Sequence, residues 1–362
     1  MSRLRLVAPA LLLSLAAPLH AQNTLDTPFS GSDLATFTVR DGALKAWGIA
    51  STTGGGGALD VSGVRAVAGG NGFIVALKTD GTVWTWGRDE RGQLGDGAMG
   101  GDKSRPTPQQ VPGLKGAKQI AAGWHHALAL MPNGSVVAWG CNSHGQLGDG
   151  SLKDRATPAP IPNLTNVVAL AAGERHSLAL KADGTVWAWG KNADGQLGDG
   201  TLKDRATPAQ VGKLADVRAI ACGWGHNLAL KNDGTAWAWG AGLTGQLSGE
   251  QRDARTPKQV MGLPKVTALA AGCWHSLALD DAGNVWAWGS NGTGQLGDGS
   301  NSDRKEPKKI ETLTKVVAIG AGNWHSLAQG ADGTLWSWGN NSVGQLGDGT
   351  KETRTSPVKV GA

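Results

Sequence analysis

Apolar residues along this chain come in short runs of four to six positions, set apart by glycine, aspartate and asparagine. Val167 to Ala171 (VVALA), His176 to Leu180 (HSLAL) and Thr185 to Trp189 (TVWAW) follow one another, and Pro158 to Ile161 (PAPI), from the preceding unit, supplies a fourth run. Runs this short that alternate or stay apolar predict strands rather than helices. Between the second and third runs lies Ala182-Asp183-Gly184, with Asp80-Gly81, Asn133-Gly134, Asp233-Gly234 and Asp332-Gly333 in the same place. These are tight hairpin turns, because glycine, aspartate and asparagine tolerate the positive φ that such turns need.

The four-run unit repeats. Trp-Gly recurs at Trp47, Trp86, Trp139, Trp189, Trp239, Trp288 and Trp338, at intervals of 39, 53, 50, 50, 49 and 50. A period near 50 built from strands predicts a β-propeller, since one four-stranded sheet buries its faces only by stacking against its neighbours. The expected fold is all-β: a seven-bladed propeller of four-stranded antiparallel blades, one domain over residues 22–362. The first unit is abbreviated. It has Asp41-Gly42, Trp47-Gly48 and a second strand at Ala35 to Val39, but no A-x-A-A-G segment before them and no GQLGDG after. Closure is expected through paired strands from the two chain ends, with Pro357 to Val360 as the last strand; whether Thr24 to Ser30 adds an inner strand is left open.

Composition narrows the class. The 57 glycines have no three-residue period and 40% of residues are hydrophobic, which sets aside collagen-like and disordered chains. Arg3 and Arg5, an apolar run from Leu6 to Leu19 and His20-Ala21-Gln22 read as a secretory signal cleaved after Ala21. The run is shorter than the roughly 20 residues of a membrane span and is interrupted by Pro9 and Pro18. A secreted or periplasmic chain with no stable membrane span is expected. Removing Arg3 and Arg5 leaves 32 basic residues against 29 acidic ones, no signal for nucleic acid. Cys141, Cys222 and Cys273 have no C-x-x-C spacing; a Cys222–Cys273 bridge and a buried thiol are both open at this point.

D-G-x-x-W-x-W-G, G-Q-L-G-D-G, T-P-x-x-V and A-x-A-A-G-x-x-H-S-L-A-L, kept in order through six units, resemble the repeat of the regulator of chromosome condensation family over about residues 35–362. The resemblance implies a seven-bladed propeller. It also brings three functional precedents: a nuclear guanine-nucleotide exchange factor that binds chromatin, a plant ultraviolet-B photoreceptor, and a secreted bacterial inhibitor of β-lactamases. Export separates the chain from the first. The photoreceptor's G-W-R-H-T turns are matched only by Gly123-Trp124-His125-His126 and Gly223-Trp224-Gly225-His226, without the arginine.

Candidate chemistry is sparse. His126, His176, His226, His275 and His325 recur once per unit, and Phe73 takes that place in the second. A catalytic group is needed once, so the periodic histidines read as buried hydrogen-bonding elements. GQLGDG lacks the lysine and helix of a phosphate loop. Asp149, Asp199, Asp298 and Asp348 supply one carboxylate per loop, too few for calcium. No catalytic cluster, metal site or cofactor is expected. Paired tryptophans such as Trp187 with Trp189, and Trp336 with Trp338, share one side of a strand and read as core.

The remaining tryptophans, Trp124, Trp224, Trp274 and Trp324, lie in turns that ask for no aromatic, with Glu174 and Arg175 in that place in the fourth unit. Successive antiparallel strands reverse direction, so these turns and the GQLGDG loops emerge on one face, tryptophans nearest the axis. Farther out run Lys103, Arg105, Lys153, Arg155, Lys203, Arg205, Arg252, Arg255, Arg304 and Arg354, which read as loop braces. Tryptophan anchors ringed by polar groups suit a protein partner. The expected function is an exported, non-catalytic binding protein that recognises a partner protein, such as an enzyme it inhibits, through Trp124, Glu174, Arg175, Trp224, Trp274 and Trp324. A carbohydrate or cell-wall binding module is the alternative.

Overall fold

The computed structural model describes residues 29–31, 35–40, 43–48, 61–100, 104–249 and 252–361. The secretory signal read at residues 1–21 and the Asp41-Gly42 turn lie outside these. Among the described residues seven antiparallel sheets form the propeller, six of four strands and the first of three. The fourth blade shows the plan: Val167–Ala172 innermost, then His176–Lys181, Val186–Gly190 and, outermost, Arg205–Gln210. The fourth strand therefore follows the other three in sequence. Pro158 lies in Arg155–Pro160, which closes the blade before. Proline is tolerated there because an edge strand has one row of backbone groups facing outward.

The first blade consists of Phe29–Gly31, Ala35–Arg40 and Ala43–Gly48. Its inner strand is thus supplied by Phe29–Gly31, and it is the outer strand that the described residues lack. Ring closure differs from expectation. The last strand, Arg354–Lys359, pairs with Leu335–Gly339 of its own sheet, and among the described residues no strand is exchanged between the chain ends. The seventh blade instead packs on the first: His325 Nε2 meets Thr36 Oγ1 at 2.8 Å, and Gly347 lies so close to Trp47 that a Cβ there would stand 2.7 Å from its ring.

Core residues lie between neighbouring blades, as the two-residue period of a strand allows, and one cluster runs on through the fourth, fifth and sixth blades. Leu178 and Leu180 pack with residues of the fifth blade, while Ala179 packs with the third. The Trp-Gly tryptophans Trp86, Trp139, Trp189, Trp239, Trp288 and Trp338 are fully buried. Their i−2 partners are not: Trp187 is half-buried, with the Lys181 ammonium 4.1 Å from its ring centroid. In the Asp-Gly turns only the glycines take positive φ. The aspartate works through its side chain, as where Asp183 Oδ1 accepts from the Thr185 amide (3.0 Å) and hydroxyl (2.6 Å).

Polar side chains join neighbouring blades by one recurring device. His126 Nε2 of the third blade bonds Ser177 Oγ of the fourth (3.0 Å), and that hydroxyl donates to the Gln146 carbonyl of the third (2.9 Å). Trp189 Nε1 donates to the same carbonyl (2.8 Å). His176 with Asn227, His226 with Ser276 and His275 with Ser326 repeat it. The motif residues His, Ser, Gln and Trp are therefore parts of one seam. The first two seams depart from it. Ala35 and Ile74 stand where histidine and serine would, and Trp86 Nε1 is buried without an acceptor, because no GQLGDG loop precedes it.

Candidate functional site

The turns between inner and second strands are tight, each closed by a bond such as Gly123 N to the His126 carbonyl (2.9 Å). Gly123 is required by space. A Cβ on it would lie 2.2 Å from the His126 ring and 2.5 Å from the Gly173 carbonyl of the next blade. With that close approach, the next turn residues of blades two to seven bond one another in series around the axis. Asn71 N donates to Trp124 O (2.9 Å), Trp124 N to Glu174 O (3.2 Å), Glu174 N to Trp224 O (3.0 Å), Trp224 N to Cys273 O (3.4 Å) and Cys273 N to Asn323 O (2.9 Å). These turns line an axial opening of about 170 Å³, with Trp124, Glu174, Trp224, Cys273 and Asn323 among its lining.

Of the four turn tryptophans, then, two line the axis. Trp274 and Trp324 stand one position later in their turns, and Cys273 and Asn323 take the axial places. Trp274 nevertheless joins the others: ring centroids lie 5.2 Å apart for Trp124 and Trp224 and 5.1 Å for Trp224 and Trp274, tilted by 48° and 56°. All three are half-buried. Trp224 Nε1 is enclosed with no hydrogen-bond acceptor, a condition that costs about 1–3 kcal/mol in a buried group. Among the described residues Trp324 does not enter this cluster; its carbonyl accepts from Thr293 Oγ1 (3.2 Å) and the Asn340 amide (2.9 Å).

Glu174 and Arg175 break the aromatic series with an ion pair, Nε to Oε1 at 3.0 Å, and Lys191 approaches the other Glu174 oxygen at 3.7 Å. Arg175 also lines a second cavity of about 140 Å³ with Glu90, Arg91, His125, Ser143 and Glu174. His125 carries a proton less readily than usual, mainly because burial disfavours the cation. The open cysteine reading resolves to thiols: Cys141, Cys222 and Cys273 form no disulfide, and Cys222 Sγ meets Asn227 Oδ1 at 3.2 Å.

The other candidates are engaged within the fold. Burial pushes His126, His226 and His275 down to about 3, and His176 and His325 to about 4, so all five are neutral near pH 7. Partial burial would raise Asp348, yet bonds from Arg354, Thr350 and Asn341 pull it down to about 2. Arg105 braces Asp96 (2.6 Å), Arg155 braces Asp149 (2.7 Å), Arg205 braces Asp199 (2.6 Å), and Arg304 holds Asp298 likewise. Among the described residues no group of three or more His, Cys, Asp or Glu side chains is placed to hold a metal. No described helix is long and apolar enough to cross a membrane.

Sequence reasoning missed an apolar arc on this face. Met99, Leu152, Leu202 and Leu243, exposed by 46%, 61%, 42% and 66%, stand on its loops in blades two to five. Asn301 and Lys351 take the place of Leu152 and Leu202 in blades six and seven. The signal was available as Ser-Leu-Lys-Asp-Arg and Thr-Leu-Lys-Asp-Arg after GQLGDG, but a single leucine in a polar loop has no period to mark it.

A family profile described as RCC1-like domain matches residues 154–362, and profiles of the regulator of chromosome condensation (RCC1) repeat match residues 64–93, 80–130 and 117–146. The human E3 ubiquitin-protein ligase HERC2 is 44% identical over 81 residues, 22% of this chain and 2% of that protein. The mitochondrial RCC1 domain-containing protein RUG3 of Arabidopsis thaliana is 43% identical over 83 residues, 22% of this chain and 18% of its own. The chain thus matches under a fifth of the length of these curated relatives. Among solved structures, human WBSCR16 superposes with a TM-score of 0.77 at 28% identity, covering 84% of each chain. Prp20p from Saccharomyces cerevisiae, described with its binding properties to Gsp1p and histones, gives 0.72 at 27%, covering 82% of this chain and 76% of that one.

Proposed function

We propose, since the chain belongs to the family of RCC1-like domains, that it is an exported, non-catalytic binding protein that grips a partner protein on the face carrying the tryptophan turns. The observation that carries this reading is the Trp124–Trp224–Trp274 cluster, with its unsatisfied indole N–H, on the face whose loops also carry the exposed Met99, Leu152, Leu202 and Leu243. Interface hot spots favour tryptophan at the centre of a patch, and clustered exposed apolar residues mark contact sites. Blades two to six form the contact sector in this proposal. Five neutral, hydrogen-bonded histidines and five arginine-braced aspartates support a role without catalysis. Export is part of the proposal and rests on the signal pattern of residues 1–21.

A sugar-binding surface would favour tryptophan faces lying open for stacking, whereas these rings are half-buried and tilted onto one another. The partner reading is tested by affinity capture from envelope and culture-supernatant proteins. The chain is compared with Trp224→Ala/Trp274→Ala and Leu152→Glu/Leu202→Glu variants whose melting temperatures are checked. Capture lost in both folded variants supports it. Capture that survives both overturns it, as does glycan-array binding with no protein retained.

A further inference from the structure

In two blades the third residue before the leucine of the GQL segment bonds the next blade's tryptophan-face turn. Thr244 Oγ1 donates to the Trp274 carbonyl and Thr293 Oγ1 to the Trp324 carbonyl, each at 3.2 Å. In the third blade this residue is His144, and it meets two partners in the fourth: Asp204 Oδ2 lies 2.7 Å from Nδ1, and Arg175 Nη1 lies 3.1 Å from Nε2. A guanidinium only donates, so Nε2 must present its lone pair and the proton must sit on Nδ1, facing the carboxylate. The equivalent residue one blade earlier is Arg91, which meets the corresponding Asp154 at 3.3 Å. There the charge is permanent; at His144 it depends on a proton.

We infer that His144 is a proton-responsive positioning residue of the partner-binding face: neutral, it holds Arg175 in place beside Glu174, and protonated, it releases the guanidinium. Protonation puts an N–H where Arg175 had an acceptor, so two donors and two cations face each other. Asp204 keeps its bond to the ring in either state. It also accepts from the Asn192 amide (2.8 Å), so the loop stays in place while Arg175 is freed. The other charged groups bearing on the relay are Glu174 and Lys191 beside Arg175, Asp194 at 3.7 Å from Lys191, and Glu90, Arg91 and His125 across the shared cavity. His144 is partly exposed, at 27% of its side chain, so a proton reaches it without unfolding. Its tautomer, set by Arg175, makes the idea readable in the free protein.

The effect on binding rests on the proposed role of this face; the switch itself does not. Side-chain ¹⁵N–¹H spectra of the full-length labelled chain test the switch. At pH 8, His144 is expected as the Nδ1–H tautomer, and its titration should move the Arg175 Nε resonance with the same midpoint. In His144→Gln the Arg175 resonance should stay fixed across that range, with the melting temperature retained. An Nε2–H tautomer at pH 8, or an Arg175 signal that ignores the titration, overturns the switch. With a captured partner, affinity should change at least threefold across the titration in the unmodified chain and not in His144→Gln. Affinity that is flat in both, with the spectra as expected, removes Arg175 from the contact and leaves the relay standing.

Discussion

His325 Nε2 and Thr36 Oγ1 lie 2.8 Å apart although 289 positions separate them in the chain, and this bond joins the last blade to the first. Both residues are buried. Thr36→Ala would leave the imidazole nitrogen without a partner, at a cost of about 1–3 kcal/mol, while Thr36→Ser should retain most of the stability. Chemical denaturation of the two variants, with the unmodified chain as reference, measures the difference. Equal losses would mean that the methyl group, not the hydroxyl, closes the ring.

Stability should fall as pH drops below about 6. His126, His176, His226, His275 and His325 hold values of about 3 to 4 in the folded chain, below the ordinary 6.5 for histidine. The unfolded chain therefore binds more protons between those limits, and folding weakens as pH falls through 6.5. By pH 4.5 the loss is on the order of 1–3 kcal/mol per histidine. Aspartates such as Asp348, held at about 2, weaken the fold only at lower pH. Melting temperatures between pH 7.5 and 4.5 check this, and a flat profile above pH 5 would contradict it.

Replacing a seam tryptophan by phenylalanine should cost less in the first seam than in the third. Trp86 Nε1 has no acceptor, whereas Trp189 Nε1 bonds the Gln146 carbonyl at 2.8 Å. Both side chains are fully buried, so the lost volume is common to both variants. Trp189→Phe is expected to be more destabilising than Trp86→Phe by about 1–2 kcal/mol in urea unfolding.

Two glycines should respond in opposite ways to alanine. Gly123→Ala places a Cβ 2.2 Å from the His126 ring and 2.5 Å from the Gly173 carbonyl, and should destabilise by about 3 kcal/mol or more. Gly292→Ala meets nothing within 4 Å and should stay within about 0.5 kcal/mol of the parent. Paired thermal melts decide between them.

The blades were legible because each repeats the same local pattern, so Trp189, Asp183 and Gly184 announce a strand and its turn from their neighbours alone. The seams were only partly legible. His126 could be recognised as structural from its period, but its bond to Ser177 spans 51 positions, and no local pattern states which residue answers it. The closing bond of Thr36 is hidden for the same reason, compounded by a first blade that has lost its GQLGDG loop. At the candidate site, Trp224 and Trp274 looked equivalent by residue type. One position in a tight turn separates the lining of the axis from the surface beside it. His144 carried no signal, since arginine, aspartate, threonine and valine occupy its place in other blades.

The series of main-chain bonds from Asn71 through Trp124, Glu174, Trp224 and Cys273 to Asn323 has a practical consequence. Its geometry is set by amides and carbonyls that every residue but proline possesses, so the side chains there are not what holds the opening in shape. Asparagine, tryptophan, glutamate and cysteine already occupy equivalent stations on one frame. Randomising these stations together should yield libraries of folded receptors, in which the blades act as a fixed chassis and the turn residues as exchangeable inserts.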